Sequence, residues 1–256
     1  MIAVILKLVL TPVLIAVTTL AARRFGPAFG GWLAGLPLVS GPVLIFLALD
    51  EGPDFAAAAA LAGLLGLVAV AGFCAAYVLV ARRTGWLPAG IAGIGAYLLC
   101  AAFLAHLSVG PAVSLFLALA AIFASRTIAG RPSLEAPSCA PAWWDIPLRM
   151  ASAAAMVLAI TECALSLGAR WSGLLSPFPV FTSIMAVFSH REFGQAGARR
   201  LLSGVITGCA ASAAFFLFVG MMAGRHSLLC TYSASAGASL AVSWLCLLLF
   251  IPGNRR

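Results

Sequence analysis

Residues 55–81 read FAAAAALAGLLGLVAVAGFCAAYVLVA, with no charged side chain among them. As a helix rising 1.5 Å per residue, this stretch is about 40 Å long. The hydrocarbon core of a bilayer is about 30 Å thick. The stretch therefore predicts a membrane-spanning helix, and the rest of the chain agrees in character. Of 256 residues, 63% are hydrophobic and only 9% charged. A soluble domain carries about 25% charged residues, and seven acids with fifteen bases cannot cover a solvated surface. Composition thus excludes an ordinary soluble fold. The net charge of +8 does not point to nucleic acid, because the bases sit in pairs at the ends of apolar runs and form no basic stripe.

Outward from 55–81, eight further runs are long enough to span. The nine are 2–22, 31–49, 55–81, 86–105, 107–124, 146–167, 171–189, 201–222 and 228–251. The first reads as a span and not as a signal peptide: Arg23-Arg24 follow the apolar run, and no small-residue cleavage site precedes a polar chain. The fourth and fifth are divided only by the turn signal Gly110-Pro111. With nine spans, one face receives Arg23, Arg24, Arg82, Arg83, Arg126, Arg131, Arg149, Arg191, Arg199, Arg200, Arg255 and Arg256, and the other Lys7, Arg170 and Arg225. The positive-inside rule then predicts an outside N-terminus and an inside C-terminus.

Residues 129–145 carry three prolines and read as a cytoplasmic linker between two membrane repeats, 1–128 with five helices and 146–256 with four. The halves share a phrase. Gly31-Trp32-Leu33-Ala34-Gly35-Leu36-Pro37-Leu38-Val39-Ser40-Gly41-Pro42-Val43 opens the second span; Arg170-Trp171-Ser172-Gly173-Leu174-Leu175-Ser176-Pro177-Phe178-Pro179-Val180 opens the seventh. Both lead to a short charged loop, Asp50–Asp54 against His190–Phe193, and then to a small-residue helix. That helix carries Ala59-x-x-x-Gly63 and Ala62-x-x-x-Gly66 in one half, and Gly204-x-x-x-Gly208-x-x-x-Ser212 in the other. Such spacings let helix backbones approach closely. Five spans precede the linker, so the second repeat enters the membrane inverted. Inverted repeats with interrupted helices are the mark of secondary transporters.

The interruptions define the expected site. Pro37 and Pro42 break the second span, Pro177 and Pro179 the seventh. Ser40, Gly41, Ser176, Thr182 and Ser183 supply hydroxyls and close backbone approach beside them. A pair of tolerated kinks, with the hydroxyls bonded to their own backbone, is the alternative. Glu162 is the one acid deep in a span, and Lys7 is its natural partner. Two readings stand for Glu162: a proton or cation coupling site paired with Lys7, or a carboxylate snorkelling to the interface. Asp50, Glu51 and Asp54 form an acidic loop able to attract cations. The seven cysteines are isolated, which predicts no metal or redox chemistry, and no cofactor motif or nucleophile set predicts an enzyme.

Residues Gly173-Leu174-Leu175-Ser176-Pro177-Phe178-Pro179-Val180-Phe181, then Ser189-His190-Arg191-Glu192 and Gln195–Arg200, resemble the start of the small GlpM-type bacterial inner-membrane proteins. The resemblance covers about thirty residues, 173–200. It implies a bacterial inner membrane and a fused, inverted duplication of such a unit, with a link to exopolysaccharide production suggested for the family. The expected function is a secondary transporter or permease of unknown substrate, a small solute or a lipid-linked one. A lipid-carrier or polysaccharide-pathway flippase and a non-transporting scaffold are the other two readings. Partners expected are lipid and no nucleic acid.

Overall fold

A computed structural model describes residues 2–107, 109–130, 144–164 and 179–250; of 2–8, 157–164, 249 and 250 the backbone alone is described. The chain is all-helical among these residues: α1 (Ile2–Phe25), α2 (Pro27–Gly35), α3 (Ser40–Asp50), α4 (Pro53–Ala81), α5 (Trp86–Leu104), α6 (Pro111–Ala129), α7 (Asp145–Ala164), α8 (Val180–Met222) and α9 (Leu228–Phe250). Six helical stretches among the described residues are long and apolar enough to cross a membrane. This is the make-up of a multi-pass membrane protein.

Burial separates centre from periphery. The most apolar windows of α4 and α8 are 67% and 61% buried, against 28–33% for α2–α3, α5, α6 and α9. Around this centre the outer helices turn large apolar side chains outward: Leu99 and Phe103 on α5, Phe116 and Phe123 on α6, and Leu240, Trp244 and Leu248 on α9. A belt of that kind is stable only against lipid.

Small residues set the closest crossing, where α2 packs on α8. A Cβ on Gly31 would overlap the Leu201 carbonyl, and one on Gly204 the Ala28 carbonyl. Gly35 and Gly208 meet with the same closeness. The Gly204-x-x-x-Gly208-x-x-x-Ser212 pattern thus brings two backbones together. On α4, Gly63 takes the edge of the Phe216 ring, with 3.0 Å from the ring to a built Cβ.

Three breaks interrupt the helices. Between α2 and α3 the chain is extended at Leu36 (φ −73°, ψ 156°) and resumes as helix at Ser40. Pro37 lies in this break, but Pro42 stands in the first turn of α3, where a missing N–H costs nothing. Gly52 (φ 95°, ψ 162°) separates α3 from α4. Gly194 (φ 64°, ψ −166°) divides α8 into two limbs, 180–193 and 195–222. These backbone angles lie in a region open essentially to glycine alone. The 43 residues of α8 would reach about 65 Å if straight, twice a bilayer core, so this kink is what fits the helix to a membrane.

One expectation is corrected here. Residues 190–193 form no loop; they are helical and run straight into the Gly194 kink, so the described part of the expected seventh span, 180–189, and the eighth span belong to one bent helix. Against nine expected spans, six candidates lie among the described residues. The parts of the expected spans and linker at 131–143 and 165–178 lie outside those residues.

Candidate functional site

Charged side chains gather at one end of the molecule. The C-termini of α1, α4 and α6, the N-termini of α5 and α7, and the bend of α8 all meet there. Arg82 and Arg199 donate to the terminal carbonyls of α6, Ile128 (2.8 Å) and Ala129 (2.6 Å). Cations at a helix C-terminus meet its partial negative charge. Arg126 donates to Thr207 Oγ1 at 2.8 Å. Tyr77 and His190 are joined through Oη and Nδ1 at 3.3 Å, and Arg191 lies 5.4 Å over the Trp86 ring.

At the heart of this end is a buried ionic cluster. Asp145, in the first turn of α7, accepts from Arg149 Nε one turn later at 2.9 and 3.0 Å, and from Arg23 Nη2 at the end of α1 at 2.6 Å. Arg149 Nη2 reaches across to Glu192 on α8 at 2.7 Å. Its guanidinium also covers the Phe188 ring at 4.6 Å, a cation–π contact strengthened by desolvation. The side chains of Arg149 and Asp145 are only 3% and 4% exposed. Two guanidiniums meet two carboxylates, so the cluster is neutral; a buried ion set survives only when balanced and hydrogen-bonded in this way.

Beside it lies a cavity of about 20 Å³ bounded by Thr19, Arg23, Arg149, Met185, Ser189 and Glu192. That is water-sized. The Ser189 hydroxyl is buried there with no hydrogen-bond partner among the described residues. Buried polar groups are rarely left so.

The sequence-predicted residues fall in two places. Pro37, Ser40, Gly41 and Pro42 lie at the α2–α3 break, where the Phe215 ring of α8 stands 3.4 Å from a Cβ built on Gly41. The carbonyl that ends α2, Gly35 O, accepts from Ser212 Oγ at 2.7 Å. Pro179 caps α8. Thr182 and Ser183 are buried on the first limb of α8; the Ser183 hydroxyl donates to Val180 O (2.9 Å) and lies 3.7 Å from Met156 Sδ of α7. Ser176 and Pro177 lie outside the described residues. Lys7 and Glu162 lie on α1 and α7, with their side chains outside the described set.

Sequence reasoning missed the ionic cluster. It read Asp145 as the linker's end, and Arg149 and Glu192 as loop charges. The available signal was helical spacing: Asp145 and Arg149 are four apart, and Met185, Ser189 and Glu192 share one face. At the opposite end, Asp50, Glu51 and Asp54 are exposed and join no ion pair among the described residues. Asp54 Oδ1 stands close beside Gly224, in the turn between α8 and α9. No metal-holding group of His, Cys, Asp and Glu occurs among the described residues. Comparison with family models, curated proteins and solved structures found no match to this chain.

Proposed function

We propose that the protein is a secondary transporter or permease of the bacterial inner membrane, built from two inverted repeats, with its site between the broken helices that carry Pro37–Pro42 and Ser176–Ser183. One observation carries the reading. The shift along the chain that takes Gly52 onto Gly194 also takes Trp86, the first residue of α5, onto Leu228, the first of α9. It takes Pro37 onto Pro179, Ser40 onto Thr182, and Ala62-x-x-x-Gly66 onto Gly204-x-x-x-Gly208. Each half thus has a short helix, a glycine break, a long buried central helix and an outer helix, in register.

The directions support inversion. The short helix α3 ends at Asp50, at the end where Asp54 meets Gly224. The first limb of α8 ends beside Arg23 and Asp145, at the arginine end. Interrupted helices at matching places of two inverted halves are the architecture of alternating access. The arginine end faces the cytoplasm by the positive-inside rule. Lys7 and Glu162 keep their proposed place as coupling charges.

Single cysteines at Ser40 and Ser183, in a cysteine-free background, test the reading. Membrane-impermeant thiol reagents should label both, from one side or the other, with rates that change with pH or a transported solute. If neither is labelled from either side, the interface is dry and the protein is a scaffold.

A further inference from the structure

We infer that Arg23, Asp145, Arg149 and Glu192 form an ionic lock that holds the arginine end shut, with Gly26 and Gly194 as its hinges. The inference rests on the transport reading and assigns the conformational state of that pathway.

The network joins the two halves: Arg23 comes from the first, and Asp145, Arg149 and Glu192 from the second. Its outer members stand beside backbone pivots. Gly26 (φ 94°, ψ 160°) follows Arg23 by three residues, and Gly194 follows Glu192 by two. A Cβ at either glycine would meet nothing within 4 Å, so the helix ends can rotate there without collision. A few backbone torsions absorbing a large rotation are what hinge motion requires.

The chemistry of the contacts is also that of a lock. Packed apolar surface in a membrane has no water-driven reason to open, whereas carboxylate–guanidinium pairs can exchange each other for water. Ser189 lies beside the pairs, 3% exposed and with no hydrogen-bond partner among the described residues, so it reports whether water reaches the space that the pairs close off. At the opposite end no such ion network occurs among the described residues. Asp50, which the Gly52-to-Gly194 shift pairs with Glu192, is exposed and joins no ion pair among the described residues. An ionic closure at one end only is the asymmetry that alternating access demands of a single state, and it is what the described residues give.

The test is accessibility of a cysteine placed behind the lock. Ser189→Cys, in the cysteine-free full chain in membrane vesicles, should react at the background rate with an impermeant maleimide. Adding Glu192→Gln, or separately Arg23→Gln, should raise the rate at least tenfold, from the arginine side only. Arg23 is the most exposed member of the network, so its variant should still fold if the Glu192 variant does not. Elution as a single detergent-solubilised species checks both. Unchanged labelling in the folded variants, equal labelling from both sides, or fast labelling with the lock intact overturns the lock. A Ser40→Cys reporter in the same vesicles separates the two ideas. If it is labelled while Ser189→Cys stays insensitive to Glu192, the lock falls and transport stands. If it stays dark from both sides, the transport reading falls and takes the lock with it.

Discussion

The α3–Gly52–α4 unit and the bent helix α8 are the same backbone device used at opposite ends, and they differ in what surrounds the acid before the break. Asp50 precedes Gly52 in water-exposed surroundings, with no basic partner among the described residues. Glu192 precedes Gly194 under Arg149, which is itself tied to Asp145 and Arg23. The backbone therefore marks where the chain bends, and the ion pairs mark which bend is held. A carboxylate at a helix end in water is easily replaced; one that balances a buried guanidinium is not.

Removing Arg149 should produce the largest effect. Arg149→Ala leaves Asp145 buried with only Arg23 and strips Glu192 of its partner, which should cost about 3–5 kcal/mol. Asp50→Ala, at the place that matches Glu192 in the other unit, should stay within about 0.5 kcal/mol, as exposed substitutions do. Denaturant titration of both variants in one detergent checks the contrast. Equal losses would show that the exposed acid at one break carries as much stability as the buried network at the other.

The sequence made this contrast only half legible. Apolar length and charge sidedness follow from solvation alone, so the helical character, the Gly110-Pro111 turn and the small-residue crossings could be read directly. Pro37 announced its break because proline acts locally. Gly194 did not, since a glycine in a helix is common and only its φ of 64° makes it a bend. The proposed repeat admits two registers: the sequence phrases align Trp32 with Trp171, whereas the glycine breaks align Pro37 with Pro179. Arg149 was counted as one more cytoplasmic charge. A tally of charges along the sequence cannot tell a solvated arginine from one that Asp145, Glu192 and Phe188 enclose, because those partners meet only in three dimensions.

The breaks themselves should be equal where the acids are not. Gly52 and Gly194 both have positive φ, and a Cβ on either meets nothing within 4 Å. Substitution by alanine therefore carries a purely conformational cost, about 1–3 kcal/mol at each. Thermal unfolding of Gly52→Ala and Gly194→Ala in matched detergent should give shifts of the same size. A cost at Gly194 alone would mean that the two breaks are not equivalent and that the repeat ends before them.

The smallest effect expected concerns how one unit supports the break of the other half. The carbonyl of Gly35 ends α2 with no further helical turn to receive it, and in lipid a free carbonyl must be satisfied internally. Ser212, on the second limb of α8, donates to it at 2.7 Å. The shift that relates the breaks places Val70 of α4 where α8 has Ser212, and Val70 is buried and apolar. The hydroxyl is therefore a feature of one unit only. Ser212→Ala should cost about 0.5–2 kcal/mol, the span measured for interhelical hydrogen bonds in membranes, and Ser212→Thr should restore most of it because the donor is kept. The packing of Gly31 and Gly35 on Gly204 and Gly208 is untouched by either change, so α2 should stay docked while its end loosens. Hydrogen exchange should then rise over residues 36–39 in Ser212→Ala and stay at the wild-type level over α3. Faster exchange across all of α2 and α3 would show that the hydroxyl, and not the glycine crossing, holds the broken helix in place.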